Sequence, residues 1–277
     1  MSFTDPRTVL ARHGLRPKRS FGQNFLVAEP IVARIAALCV PELCAPGLGT
    51  HVVEIGAGLG TLTQALLDRG ARVTAIERDR DMLPVLRKEL SAELEEGRLT
   101  LVEADAAQVD YAALFRDGGV LAGNLPYQIT GRLIELATDL PGLSRAVFMV
   151  QREVADRLAS VVDGEAWGQL SVFVQAAFSV ERAFVVSAGC FHPAPQVESA
   201  VVVLTPLAQR RALETSAFRA VVHAAFGSRR KTLRNALGRV APAEVFAATG
   251  IDLGRRGETL SIEEFAALAA VVPGRKS

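Results

Sequence analysis

The chain has 277 residues, of which 49% are hydrophobic and 22% are charged, and its formal net charge at pH 7 is +1. A chain with this much apolar content can bury a core, which excludes global disorder. Because it contains no apolar run of about 18 residues, the sequence predicts no transmembrane helix.

The start of the chain has no charged segment followed by an apolar stretch, so no secretory signal is expected and the protein is predicted to be cytoplasmic. Three cysteines are present, Cys39, Cys44 and Cys190, and they form no CxxC pair. This spacing excludes a zinc ribbon and a disulfide framework, and we expect reduced thiols and no metal.

Basic residues concentrate in two islands. Residues 1–20 contain five basic residues and one acid, and residues 226–239 contain five basic residues and no acid. Two such islands on a nearly neutral protein are suited to flank a polyanion, although either one alone is equally well read as solvated surface. The islands consist of Arg7, Arg12, Arg16, Lys18 and Arg19, and of Arg229, Arg230, Lys231, Arg234 and Arg239.

Short apolar segments predict the strands of a sheet, and two helical patterns, over 59–69 and 80–90, follow the first two of them. Alternation of strands and helices predicts an α/β fold, with a parallel sheet and helices on both faces. The predicted strands are 52–55, 72–77, 99–103, 120–123 and 145–150.

The pattern changes after residue 179. Segments 180–186 and 199–204 predict an antiparallel pair that closes the sheet, joined through a loop at 191–195. After Pro206 only helices are predicted, over 215–226, 231–238, 242–249 and 261–271. We therefore predict a domain over 1–205 and a small all-helical domain over 206–277.

The turn after the first predicted strand reads Glu54-Ile55-Gly56-Ala57-Gly58-Leu59-Gly60. A dinucleotide fingerprint requires its third glycine where Thr61 stands, and no P-loop lysine is present. The spacing resembles the first motif of methyltransferases that use S-adenosylmethionine. Glycines at such positions let the backbone approach a ligand closely, and Glu54 is placed to face its cationic end.

Two further acids follow the next two predicted strands. Glu77 lies where a carboxylate binds ribose hydroxyls in Rossmann-like sites, and Asp105 lies where an acid can accept the adenine amino group. Carboxyl ends of parallel strands meet at one edge of a sheet, so we expect Glu54, Glu77 and Asp105 to converge on one crevice.

Asn124-Leu125-Pro126-Tyr127 follows the fourth predicted strand and fits the [DN]-x-P-[YFW] motif of amino-group methyltransferases. The lone pair of an adenine amino group is delocalised into the ring. If the Asn124 side chain and the Leu125 carbonyl accept its two N–H groups, the lone pair can turn toward a methyl donor. Pro126 fixes the bend, and Tyr127 offers a ring for stacking.

Phe191, in the loop predicted at 191–195, is placed to supply a second aromatic plane opposite Tyr127 and to clamp a flipped base. The neighbouring His192 receives no predicted role.

Six segments together resemble the ribosomal RNA small-subunit adenine dimethyltransferase family, over about residues 16 to 265. The family implies transfer of two methyl groups to the N6 atom of each of two adjacent adenosines near the 3′ end of small-subunit rRNA, during late assembly of the subunit. The segments are 20–26 (SFGQNFL), 54–63 (EIGAGLGTLT), 124–127 (NLPY), 151–155 (QREVA), 191–199 (FHPAPQVES) and 226–235 (FGSRRKTLRN).

The resemblance implies S-adenosylmethionine as cofactor, immature small subunits as partner, and a monomer. RNA binding is expected from Arg16, Lys18, Arg19, Arg229, Arg230, Lys231 and Arg234. Cofactor binding is implied for Asn24, Leu26, Gly56, Glu77, Asp105 and Asn124, and Gly58 joins them from the glycine spacing.

Two alternatives stay open at this point. The related dimethyltransferases of large-subunit rRNA share the glycine loop and the helical tail, although Leu125 favours the small-subunit type. A non-catalytic assembly or nucleic-acid-binding factor is the other, and the intact Asn124–Tyr127 motif argues against it.

Overall fold

The structure is a computed structural model that describes residues 3–18, 21–42, 49–125, 130–227 and 230–273. Within these ranges, the strands are β1 Phe25–Leu26, β2 His51–Ile55, β3 Arg72–Glu77, β4 Leu99–Glu103, β5 Gly119–Asn124, β6 Leu143–Gln151, β7 Phe178–Val186, β8 Phe191–His192 and β9 Ser199–Pro206.

Seven strands form one sheet in the order β4-β3-β2-β5-β6-β9-β7. The neighbours from β4 to β6 run parallel, and β9 pairs with β6 in the antiparallel direction. Helices cover both faces, so the predicted α/β class is confirmed. Each of the seven sequence-predicted strands is present, with ends that differ by at most two residues.

Each of the six helices that periodicity predicts is present, with ends that differ by at most three residues. None within the described ranges is long and apolar enough to cross a membrane. They are α1 Pro6–His13, α2 Glu29–Cys39, α3 Thr61–Asp68, α4 Met82–Glu89, α5 Ser91–Glu95, α6 Tyr111–Leu114, α7 Thr130–Thr138, α8 Arg152–Leu158, α9 Gln169–Ala177, α10 Ser216–Phe226, α11 Leu233–Leu237, α12 Ala243–Phe246 and α13 Ile262–Ala270.

The register of the parallel strands places their carboxyl ends together. Ile55 lies opposite Ile76 and Gly123, so β2, β3 and β5 end within about a residue of one another. A Cβ atom on Gly123 would lie 2.6 Å from the carbonyl oxygen of Ile55, which explains why glycine precedes Asn124 in the middle of the sheet.

A second, two-stranded sheet was not predicted. Phe25–Leu26 pairs in the antiparallel direction with Phe191–His192, with Leu26 opposite Phe191. The first two residues of the predicted loop 191–195 therefore form a strand, because the N-terminal segment supplies backbone partners from far away in the chain.

The chain forms two compact units, Met1–Ala155 with Glu181–Thr205, and Asp156–Val180 with Pro206–Ser277. The first contains the sheet, and the second packs helices around a core that includes Trp167, Phe218, Phe246 and Phe265. Residues 156–180, which the predicted boundary assigns to the first domain, belong to the second unit because Trp167 and α9 contribute to its core.

Candidate active site

A cavity of about 380 Å³ lies at the carboxyl ends of β2, β3 and β5. Its size is in the range of small-molecule sites, which open at this edge in α/β sheets. It is lined by all seven residues predicted to bind cofactor, one of which, Asn124, is also predicted for catalysis, and by two further residues predicted for catalysis. They are Asn24, Leu26, Gly56, Gly58, Glu77, Asp105 and Asn124, followed by Leu125 and Phe191.

The glycine loop forms the turn between β2 and α3. Gly56, Gly58 and Gly60 have φ angles of 72°, 57° and 81°, in the left-handed region that glycine adopts without strain. A Cβ atom on Gly58 would lie 3.1 Å from the Phe25 ring, so the loop is also tightly covered there. Gly56 and Gly58 line the cavity with bare backbone, which suits close approach of a ligand.

Glu77 ends β3 and is buried, with 8% of its surface exposed. Its Oε1 accepts the backbone N–H groups of Arg78 and Asp79, each at 2.7 Å. Its Oε2 accepts the N–H of Gly58 at 2.8 Å and thereby ties the glycine loop to β3. One lone pair of Oε2 remains for a further donor from the cavity.

Glu54 points from β2 into the same cavity and is 2% exposed. Its Oε2 accepts the hydroxyl of Thr63 at 2.5 Å. Burial, reinforced by the nearby Glu77, raises the pKa of Glu54 to about 7, although the Thr63 bond acts in the opposite direction. The carboxyl therefore changes charge near neutral pH, and a cation in the cavity would favour its ionised form.

Asp105 follows β4 and caps the short helix 106–108 by accepting the Ala107 N–H at 2.9 Å. Its other oxygen accepts from the Arg78 guanidinium, also at 2.9 Å. The Ala107 bond first, and Arg78 second, hold the pKa of Asp105 below its usual range. Glu54, Glu77 and Asp105 thus converge on one cavity, as their spacing predicts.

Asn124 is the last residue of β5. Its Nδ2 donates to the backbone carbonyl of Asn24 at 3.3 Å, so its amide oxygen is left as the acceptor for a ligand in the cavity. The N–H of Leu125 donates to Met149 at 3.0 Å, and Leu125 is buried. Pro126 and Tyr127 lie outside the described residues.

Phe191 lines the cavity and is 5% exposed, in the strand that pairs with Leu26. Because Tyr127 is outside the described residues, the predicted clamp between these two rings stays a prediction.

Lys18 and residues 21–26, which we call the arm, run along the cavity, and Phe21 to Leu26 line it. Lys18 is predicted to contact RNA, but in the structure it forms salt bridges with two carboxylates. Its ammonium lies 2.6 Å from Asp79 and 2.6 Å from Asp81, and these two carboxylates raise the pKa of Lys18. Lys18 therefore anchors the arm, an outcome that sequence spacing alone does not reveal.

The other predicted RNA-binding residues are solvent-facing wherever the structure describes them. Arg16 is exposed in the first unit, and Arg230, Lys231 and Arg234 are exposed in the second. Among the described residues, none of the four has an acidic partner within salt-bridge distance. Arg19 and Arg229 lie outside the described residues.

Comparison with known proteins identifies the family. A family model described as ribosomal RNA adenine dimethylase matches residues 14–272, nearly the whole chain. The chain belongs to this family.

A curated relative, ribosomal RNA small subunit methyltransferase A of Anaeromyxobacter dehalogenans, is 48% identical over 96% of this chain and 97% of its own length. The structure is also similar to two solved members of the same fold. A dimethyladenosine transferase from Plasmodium falciparum has a TM-score of 0.72 at 23% identity, covering 86% of this chain and 94% of its own. The 23S rRNA methyltransferase ErmE has a TM-score of 0.68 at 26% sequence identity, covering 90% of this chain and 99% of its own.

The sequence did not reveal several residues that hold the candidate site together. Thr63 and Arg78 hold acids of the site, and Asp79 holds the arm. The sequence offered one indication for Asp79, because an acid two residues after Glu77 lies on the same turn and is therefore close to the site. The partners of Thr63 and Arg78 depend on how the loops fold and carry no such signal.

The raised pKa of Glu54 predicts a pH-dependent stability. Between the usual glutamate value of 4.5 and about 7, the folded state retains a proton that the unfolded state releases. Stability should therefore fall as pH rises through this window, by up to about 3 kcal/mol, and level off above it. Glu54→Gln should lack this decrease.

The measurement is the free energy of unfolding in urea, from about pH 4.5 to about pH 8. Identical pH profiles for the wild type and Glu54→Gln would show that Glu54 is ionised throughout.

Proposed function

We propose that this chain transfers methyl groups from S-adenosylmethionine to the N6 atoms of two adjacent adenosines near the 3′ end of small-subunit rRNA. The observation that carries the proposal is the single cavity that joins the glycine loop, the Glu77 carboxylate and the Asn124 amide. The near full-length likeness to a small-subunit methyltransferase supports the choice of rRNA.

The cavity suits the methyl donor in both shape and charge. When bound, S-adenosylmethionine supplies an electrophilic methyl group on a sulfonium centre. Gly56 and Gly58 leave room beside the backbone, and Asn24 and Leu26 close the arm side. Glu77 Oε2 would accept a hydrogen bond from a ribose hydroxyl, and Asp105 would accept one from the adenine amino group. Glu54 would balance the positive charge.

The chain's contribution to the transfer is to bind and orient the target amine. The Asn124 side-chain oxygen and the Leu125 carbonyl accept its two N–H groups, which turns the nitrogen lone pair toward the methyl group. Pro126 holds the bend, and Tyr127 and Phe191 stack on the flipped base. No general base is required, because the protonated methylated amine is a strong acid.

Substrate RNA would be held by cations from both units, acting on phosphates. Arg16 and Arg19 come from the first unit, and Arg229, Arg230, Lys231 and Arg234 from the second. Lys18 is reassigned to the arm because two carboxylates already hold it. We propose that the protein acts as a monomer on immature small subunits in the cytoplasm.

Transfer of tritiated methyl groups to purified immature small subunits, with large-subunit RNA as the competing substrate, tests this function. We expect labelling of the small subunit alone, on adjacent adenosines. Labelling of the large-subunit RNA would favour the activity named for ErmE. If no methyl groups are transferred to either RNA, the protein would instead be a non-catalytic assembly or nucleic-acid-binding factor.

Glu77→Gln should weaken donor binding by about tenfold or more, because an amide N–H₂ group replaces an acceptor oxygen of a charge-assisted contact. The matched control is Glu103→Gln. Glu103 lies opposite Glu77 at the end of β4 and does not line the cavity. Calorimetric titration with S-adenosylhomocysteine measures the affinity of both variants. If Glu77→Gln binds as tightly as Glu103→Gln, Glu77 does not contact the ribose.

Asn124→Ala should lower single-turnover methylation by about 10²-fold at saturating donor, since a preorganised acceptor acts mostly at the transition state. Donor affinity should change much less. Tyr127→Phe should retain most activity and Tyr127→Ala should lose it, because stacking requires the ring. Normal turnover by Asn124→Ala, or a Phe variant as inactive as the Ala variant, would contradict this mechanism.

Replacing Arg230, Lys231 and Arg234 with Gln should make subunit binding less dependent on salt. The slope of log binding constant against log salt concentration should become less negative by about 0.7 to 0.9 for each phosphate contact that is lost. Cofactor affinity should not change. Arg87 and Lys88, exposed on α4 and outside both islands, provide the control pair. If both triple and control variants keep the wild-type slope in filter-binding titrations, the C-terminal island is a solvated surface.

A further inference from the structure

A buried carboxylate beside the cavity has no part in the mechanism above. Asp79 lies two residues after Glu77 and is 2% exposed. Its Oδ1 accepts the Lys18 ammonium at 2.6 Å, and its Oδ2 accepts the Gln23 side-chain amide at 2.7 Å. Asp79 does not line the cavity, so both oxygens are directed at the arm instead.

The arm is clamped by these contacts. Gln23 also accepts the backbone N–H of Lys18 at 2.8 Å, so its amide is engaged at both atoms. Although burial acts to raise it, the bonds from Lys18, the Asp81 N–H and Gln23 hold the pKa of Asp79 below its usual range. The carboxylate is thus ionised and holds the arm through a charge-assisted network.

The clamp connects two parts of the site. The N–H of Asp79 donates to Glu77 Oε1 at 2.7 Å, so the anchor is fixed to the carboxylate that also holds the glycine loop. On the other side, residue 24 follows Gln23 directly, and its carbonyl accepts the Asn124 side-chain N–H₂. Release of the arm would remove the contact that decides which way the Asn124 amide points.

We propose that Asp79 is a positioning residue: it docks the arm through Gln23 and Lys18, and the docked arm holds the Asn124 oxygen toward the target amine. The part concerning methyl transfer rests on the proposed function. The part concerning the arm stands on the contacts alone.

A donor–acceptor exchange tests the clamp. Gln23→Glu places a second carboxylate against Asp79, and Asp79→Asn places an amide N–H₂ against that of Gln23. In the double variant, the new amide at position 79 donates to the new carboxylate at position 23. The oxygen of that amide still accepts from Lys18 and from the Asp81 N–H. Every hydrogen bond and the net charge are then restored.

Each single variant should lower single-turnover methylation at saturating donor by at least about tenfold, because a misdirected amide no longer orients the amine. The double variant should return to within about threefold of the wild type. Asp81→Asn is the matched control, since it removes only the charge of the second carboxylate that contacts Lys18. Two results would overturn the proposal. One is a wild-type methylation rate in both single variants, and the other is a double variant whose rate is lowered by the product of the two single-variant factors.

Hydrogen exchange of the donor-free protein gives a readout that needs no activity. The N–H groups of Phe21 and Gln23, both bonded to the Lys18 carbonyl, should exchange faster in the singles and recover in the double variant. The Val27 N–H, bonded to Cys190, serves as the internal reference. Unchanged exchange in Gln23→Glu would show that Asp79 does not dock the arm.

These readouts separate the two proposals. If the wild type methylates no RNA, the proposed function fails while exchange still reports on the clamp. Gln23 is half-buried on the arm rather than in the core, so its variant tests the clamp even where Asp79→Asn reduces the folded fraction.

Discussion

The candidate site depends on the hydrogen bonds of one buried carboxylate. Glu77 accepts three backbone N–H groups, from the glycine loop and from the turn after β3. A buried carboxylate is stable only when its oxygens are satisfied in this way. The same three bonds hold two loops in register, so the position of the ligand-facing backbone follows from the position of the Glu77 carboxylate.

From this point, contacts extend across the cavity. Asp79 connects the turn to the arm, and the arm reaches Asn124 through the carbonyl of residue 24. The donor pocket and the group proposed to orient the target amine are therefore parts of one hydrogen-bonded assembly. In such an assembly, a substitution at Asp79, which does not line the cavity, is expected to act on the rate without touching either substrate.

Electrostatics divides the acids of the cavity by function. Asp105 is held ionised by the Ala107 N–H and by Arg78, whereas burial keeps Glu54 protonated to about pH 7. Because Glu54 stays protonated up to about pH 7, the cavity does not bury a full negative charge until a cation arrives to pair with it. Arg230, Lys231 and Arg234 of the second unit are exposed to solvent, so burial does not oppose their charge. Exposed cations of this kind suit the proposed contacts to phosphates, which do not depend on base sequence.

The sequence by itself determined the α/β class and the seven strands of the main sheet, because periodicity is a local property of the chain. The resemblance of six of its segments pointed to the family. It also predicted that Glu54, Glu77 and Asp105 meet, since parallel strands end at one edge. Only the tertiary structure decided the β1–β8 pairing, the place of residues 156–180, and the engagement of Lys18 with Asp79. Each joins segments far apart in the chain, and such pairing is set by which buried polar groups and apolar faces find partners after folding.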